Sequence, residues 1–404
     1  MLQALRGMKD ILDENSKRYL YFVENCSRIA QNYGFSYIET PMLEETALFK
    51  RSVGESSDIV GKEMYQFTDK GGNDVCLRPE GTAGVVRAFI QQKFDRAKVQ
   101  KKFFYYGPMF RYERPQKGRL REFHQFGVES FNQSNIQEDA VIILMLKDML
   151  DFFGIGYKLE LNSLGCSECM PTYREKLVNF LQNEEGICED CKRRRDTNPI
   201  RVLDCKNQHC QDIYANAPLL LDNLCSACSE EFAELKSILD KFEVKYTINP
   251  KLVRGLDYYN KTAFEFVSDK IGAQSAIAGG GRYDKLVEYL NGKPTSGIGF
   301  AMGIERLMEL IVMPESSKES YYVGALCPEA SELCFKLAID MRKTKKVNLN
   351  YDVKSLKNHL KIADKQGARY CVCIGEDELA NDNAWIKDLR NKSDKTLSYG
   401  ELLD

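Results

Sequence analysis

Residues 104–129 run FYYGPMFRYERPQKGRLREFHQFGVE: a strand-like aromatic run, the triplet Arg111-Tyr112-Glu113, a basic loop, and a second strand carrying Phe123, Gln125 and Glu129. Successive side chains of a strand point to opposite faces, so Arg111 and Glu113 are expected on one face, with Phe123, Gln125 and Glu129 sharing a face of the return strand. One sheet surface then collects a cation, carboxylates, an amide and an aromatic ring. A guanidinium can grip a phosphate through two hydrogen bonds, a glutamate can accept from an exocyclic amine, and a phenyl ring can stack on a base. ATP offers all three partners. The loop holds Arg114, Lys117, Gly118, Arg119 and Arg121 with no acidic residue among them, and is expected to stay mobile until a polyanion orders it. A charged surface hairpin with a solvated basic tip would account for the same residues, so the hairpin alone does not decide.

Working outward, residues 16–33 place apolar positions at helical spacing and stop at Gly34, a C′ glycine. FSYIETP then predicts a strand running into Pro41, which halts ladder pairing and suits a sheet edge or subunit boundary. Further strands are expected at YQFTD, VCLRPE and KFFYYG, and helices at GTAGVVRAFIQQ and over 137–154, the latter closed by Gly154. From about 166 to 250 the texture changes to cysteine pairs, the run Lys192-Arg193-Arg194-Arg195, and helical stretches at 171–182 and 229–242. Strand character resumes at LVRGLDYYNKTAFEFVS, followed by AIAGGGRYDKLVEYL and the glycine-spaced GIGFAMGIERLMELI. Residues 321–404 alternate strands (YYVGALC, YCVCIG) with helices (ASELCFKLAIDMRK, KSLKNHLKIADKQ), the pattern of a small separate α/β domain.

At 404 residues and 43% apolar content the chain has material for two or three domains. No run approaches eighteen apolar residues, and the charged N-terminus lacks a secretion signal, so a cytoplasmic protein with no membrane association is expected. Net charge is −2, which leaves any nucleic-acid contact to local patches; residues 93–121 supply one, with ten Lys or Arg against Asp95 and Glu113. Fourteen cysteines without a secretion signal point to thiols or metal ligands more than disulfides. Eight lie in four pairs, Cys166/Cys169, Cys188/Cys191, Cys205/Cys210 and Cys225/Cys228. Two four-cysteine structural Zn²⁺ sites, one site with spares, or plain buried thiols all fit these spacings.

Taken in order, these segments resemble the class II aminoacyl-tRNA synthetases. The helix and strand ending at Pro41 look like motif 1, the opening hairpin like motif 2, and Gly297-Ile298-Gly299-Phe300-Ala301-Met302-Gly303-Ile304-Glu305-Arg306 like motif 3. Arg254-Gly255-Leu256-Asp257-Tyr258-Tyr259 and Ala278-Gly279-Gly280-Gly281-Arg282-Tyr283-Asp284 resemble signatures of the histidine-specific branch. The resemblance implies an α/β chain: an α+β catalytic core on a mostly antiparallel sheet (1–165 and 251–318), an inserted helical cysteine-rich module (166–250), and a small anticodon-binding α/β domain on a mixed sheet (321–404). It implies activation of L-histidine with ATP and Mg²⁺ to histidyl-adenylate and pyrophosphate, then transfer to the 3′ end of a histidine tRNA, by a homodimer.

By the same resemblance Arg111, Glu113, Phe123 and Arg306 would bind ATP, with Arg254 and Arg111 catalytic and Arg254 standing where other class II enzymes place a metal ion. Glu80, Gly81, Thr82, Arg111, Gln125, Glu129, Arg254, Tyr258 and Tyr259 would bind histidine, and Gln116, Lys117, Arg119 and Arg121 would meet the acceptor end of the tRNA. The resemblance gives no support for zinc. The rival reading is a synthetase-like, histidine-binding regulatory subunit of an ATP-phosphoribosyltransferase; such proteins lose catalytic residues and the anticodon domain, whereas Arg111, Glu113, Arg254, Arg306 and a C-terminal α/β segment are all present here.

Overall fold

The computed structural model describes residues 2–403 apart from 55, 56, 58, 98, 117, 272–275 and 315–318. The chain divides into two compact units, residues 1–312 and 313–404. The first is organised on eight strands: β1 (Ser36–Tyr37), β2 (Lys101–Phe110), β3 (Glu122–Phe131), β4 (Lys158–Ser163), β5 (Tyr246–Ile248), β6 (Asn260–Val267), β7 (Ala276–Arg282) and β8 (Gly297–Gly303). Their order is β1-β2-β3-β8-β7-β6-β4-β5. Only β1–β2 and β4–β5 pair in parallel, so the sheet is mostly antiparallel, as expected.

The hairpin β2–β3 holds the second and third places in that order, in unbroken register from Lys101↔Phe131 to Phe110↔Glu122. Its period-two alternation sorts the side chains into two layers. On one face Phe104 stacks on Phe126 at 5.7 Å, and Phe126 meets Phe22 of the helix Asp13–Asn32 edge to face at 6.5 Å. On the other, Tyr105 and Phe131 pack with Val85 and Phe89 of the helix Thr82–Gln91, Phe131 stacking on Phe89 at 4.4 Å. These phenylalanines are buried, each burial stabilising the sheet by about 1.5–3 kcal/mol.

The N-terminal helix begins three residues earlier than its apolar spacing predicts and ends before Gly34, whose φ of +82° only glycine adopts freely. Of FSYIETP only Ser36 and Tyr37 join the ladder, at the sheet edge that the following proline favours. The hairpin corrects one expectation. β2 stops at Phe110, and Arg111 and Glu113 are placed by chain that has left the ladder: the Arg111 amide still donates to Arg121 O (2.9 Å), but that of Tyr112 turns to Glu63 O (2.6 Å) and that of Glu113 folds back onto Arg111 O (2.8 Å).

The cysteine-rich segment is an excursion between neighbouring parallel strands β4 and β5. Its helices Cys169–Gln182, Glu189–Thr197, Gln208–Ile213 and Ser226–Lys241 surround a core of Tyr173, Leu177, Leu181, Val202 and Tyr214 together with five of the eight cysteines. The helix Glu189–Thr197 covers the Lys-Arg-Arg-Arg run, where no apolar period announced it. The second unit is a five-stranded mixed sheet: Lys346–Leu349, Ser320–Ala325 and Tyr370–Ile374 parallel, then Asn383–Asp388 and Ser393–Ser398 antiparallel, with helices Ser331–Met341 and Leu356–Lys365. The mixed sheet was expected; its last two strands were not identified from their short alternation.

Candidate active site

A cavity of about 1600 Å³ opens in the first unit beside β3, β7 and β8. Of the residues expected to take ATP, Arg111, Glu113, Phe123 and Arg306 all line it. Of those expected to take histidine, Glu80, Thr82, Arg111, Gln125, Arg254, Tyr258 and Tyr259 line it, while Gly81 and Glu129 do not. Of the loop residues, Gln116 and Arg119 reach it, Arg121 does not, and Lys117 lies outside the described residues.

Two glycine-rich strands form one wall. In the β7–β8 pairing Gly279 faces Ala301 and Gly281 faces Gly299. A Cβ on Gly279 would overlap the Arg254 guanidinium, so the bare backbone is what admits that side chain. Arg254 is held from the far side by Glu265 of β6, Nη1 to Oε1 at 2.7 Å, and lies 5.7 Å from the Tyr259 ring centre. Its Nε is buried and has no hydrogen-bond partner among the described residues; the same is true of Gln125 Oε1 and the Tyr258 hydroxyl. Three buried polar atoms at one cavity, each without a partner among the described residues, are the arrangement a polar ligand completes.

Beneath the cavity sits a carboxylate layer. Glu129, 1% exposed, accepts from the Thr82 hydroxyl (2.7 Å), the Tyr105 hydroxyl (3.2 Å) and the Tyr283 hydroxyl. Burial pushes its carboxyl up to about 8, against the opposite pull of the Tyr283 and Thr82 hydroxyls. Glu80 caps the helix Thr82–Gln91, accepting from the amides of Thr82 (2.6 Å) and Ala83 (2.8 Å), and burial raises it as well. Both carboxyls therefore favour a cation in the cavity over remaining charged alone.

The mouth is built from the loop. Arg111 Nε donates to Pro79 O (2.9 Å) and the guanidinium stands 5.2 Å from the Phe123 ring centre, which leaves a cation and an aromatic face side by side. Arg306, just after β8, donates to Gly118 O (3.0 Å) and Ala276 O (2.6 Å), pinning the loop tip to the sheet. Arg119 is folded onto Glu113 at 2.9 Å, and Gln116 and Arg119 exchange two backbone hydrogen bonds. The basic loop is thus closed on itself, with Glu113 neutralising part of its charge. Arg121 covers Tyr112 at 3.7 Å and donates to Glu113 O, away from the cavity.

Three contributors escaped the sequence. Tyr105 bonds Glu129; Glu265 holds Arg254; and Asp257 accepts from Asn198 Nδ2 (2.9 Å) and pairs with Arg201 (3.6 Å), fastening the signature loop to the cysteine-rich segment. Glu265 left a signal, a lone charge inside the apolar strand TAFEFV. Arg282, by contrast, belongs to the fold: it is buried against Asp139 at 2.5 Å and donates to the carbonyls of Gln133 and Asn135.

Residues 7–307 match the family model described as histidyl-tRNA synthetase, and residues 309–404 match that of the anticodon binding domain. The chain is 64% identical to the histidine–tRNA ligase of Sulfurimonas denitrificans, covering 98% of this chain and 99% of that one. It is 60% identical to the histidine–tRNA ligase of Sulfurovum sp. over the whole of both chains. Among solved structures, apo histidyl-tRNA synthetase from S. aureus superposes with a TM-score of 0.84 at 34% identity, covering 100% of this chain and 99% of that one. With its cavity of arginines and carboxylates set on this sheet, the chain belongs to the histidyl-tRNA synthetase family.

Proposed function

We propose the following division of labour for the histidine–tRNA ligase activity that membership of the family carries. Histidine and ATP, the latter entering as its Mg²⁺ complex, meet in the cavity beside Arg254. A carboxylate oxygen of histidine attacks the α-phosphorus, the bond to the bridging oxygen breaks, and pyrophosphate departs with the electron pair. Holding two anions in line and neutralising developing charge is most of the work. Arg254 and Arg111 supply the positive charge at the α-phosphate, Phe123 stacks on adenine, Glu113 accepts from its amine once Arg119 swings away, and Arg306 covers the other face.

Gln125, Thr82 and Glu80 receive the histidine ammonium beside Gly81, and Tyr258 faces the ring with Tyr259 alongside. Glu129 acts from below, ionising as a cation arrives above it. The loop residues Gln116, Lys117, Arg119 and Arg121 meet the acceptor end of the tRNA, and residues 313–404 take the anticodon. A homodimer in the cytoplasm completes the reading, supported by apolar side chains exposed at the β1 edge and beside it, Tyr37, Met42 and Leu43. A regulatory role without catalysis is not favoured, given two full-length ligases at 60–64% identity.

The observation that carries the proposal is the buried Nε of Arg254, without a hydrogen-bond partner among the described residues, at a cavity that Arg111 and Arg306 also line. Histidine-dependent exchange of pyrophosphate into ATP tests it. Arg254→Ala should lower exchange about 10²–10³-fold, the effect of removing one oriented charge-stabilising donor; unchanged exchange would overturn the assignment.

A further inference from the structure

We infer that residues 166–228 hold two structural zinc ions, each in a tetrahedron of four cysteine thiolates. The pairs do not combine in chain order. Cys166 and Cys169, after β4, converge with Cys225 and Cys228 at the head of the helix Ser226–Lys241, whereas Cys188 and Cys191 converge with Cys205 and Cys210. Within each set all four sulfurs lie within 4.8 Å of one another, and Cys166–Cys169, Cys166–Cys225 and Cys188–Cys205 are each separated by 3.8 Å. Zn–S bonds of about 2.3 Å at tetrahedral angles require sulfurs about 3.8 Å apart. Disulfides would bring them to about 2.05 Å, and all eight thiols are free.

A second observation is the ring of amide donors. Sulfur accepts from the backbone amide of Glu168 at Cys166 (3.4 Å), of Cys225 at Cys169 (3.1 Å), of Cys188 at Cys210 (3.2 Å) and of Asn207 at Cys205 (3.4 Å). Such donors stabilise thiolate rather than thiol and orient the ligands of a metal centre. Four thiols that bind one Zn²⁺ release their four protons to solvent and leave a doubly negative centre.

The two ions do different work. The outer one ties the start of the excursion, just after β4, to the head of the helix that leads back to the sheet. The inner one fixes the turn Pro199–Asp204, whose Arg201, with the preceding Asn198, holds Asp257 and whose Leu203 and Asp204, with the following Cys205, line the cavity. It therefore buttresses one wall of the active site. This last clause rests on the proposed function; the metal content does not.

Elemental analysis of the full chain purified without chelator should find two zinc per chain. One zinc each should remain in the Cys166→Ser/Cys169→Ser and Cys188→Ser/Cys191→Ser variants. Fewer than about 0.5 zinc per wild-type chain, iron in its place, or two zinc retained in both variants would overturn the sites. Should a variant fail to fold, reconstitution of the wild-type chain with cobalt(II) gives an independent reading: thiolate-to-cobalt charge-transfer bands saturating at two equivalents support the sites, and their absence refutes them. The buttress is read separately. The inner-pair variant should raise KM for histidine several-fold more than the outer-pair variant, and equal KM values would refute the buttress while leaving the metal count standing.

Discussion

The hairpin β2–β3 and the cysteine-rich excursion solve the same problem, holding polar side chains in fixed positions, by opposite means. In the hairpin, ten-residue strands in continuous register set each side chain, and Tyr105, Thr82 and Tyr283 hold the Glu129 carboxylate in place from three sides. In the excursion, short helices and turns bring sulfurs from four places in the chain into two compact clusters. Backbone hydrogen bonding organises the first; ligand convergence organises the second. The excursion reaches the active site at Asp257, where Asn198 and Arg201 grip the loop that carries Arg254 and Tyr258. A sheet wall tolerates little displacement, while a wall clamped by the inferred zinc would depend on its clamp.

Breaking the sheet wall should have the largest effect. Gly279→Ala sets a methyl against the Arg254 guanidinium and displaces it; pyrophosphate exchange should fall about 10²-fold, the cost of roughly an ångström of misplacement, with little change in Tm. Cutting the joint between the excursion and the site should cost less. Asp257→Ala removes a carboxylate that accepts a hydrogen bond from Asn198 and pairs with Arg201, worth about 1.5 kcal/mol, and should raise KM for histidine about tenfold with a smaller change in kcat. A steady-state comparison with the inner-pair cysteine variant would show whether both act through the same wall.

A pH profile isolates the carboxylate layer. Glu129 is pushed up to about 8, so below that pH the empty site holds a proton that an entering cation must displace. KM for histidine should fall as pH rises toward about 8 and then level, and Glu129→Gln should flatten that limb. The same shift has a stability consequence of the opposite sign. The folded chain binds a proton that the unfolded glutamate, with its ordinary value of 4.5, releases, so this group's contribution is full below 4.5 and is lost as pH rises through about 8. The smallest expected effect concerns the loop. Aminoacylation should lose rate with added salt more steeply than pyrophosphate exchange, because only the former depends on contacts with a polyanion; parallel slopes would count against tRNA contact by Gln116, Arg119 and Arg121.

By itself the sequence determined the class of fold, the ordered motifs, the arginines and carboxylates of the cavity and the cysteine pairs, because each is written in local spacing: period two in β3, glycines in β7 and β8, two- and four-residue gaps between thiols. It misplaced Arg111 and Glu113 on the strand, since nothing local reveals that the Tyr112 amide leaves the ladder for Glu63. It left Glu265, Tyr105 and Asp257 without partners, since those partners lie far along the chain. Only the tertiary structure decided that Glu129 is buried below the cavity and raised in pKa, that Arg119 closes on Glu113, and that the first cysteine pair joins the fourth and the second joins the third. Which groups converge depends on how strands and helices far apart in sequence pack together, and a pattern read along the chain carries the residues' chemistry but not that convergence.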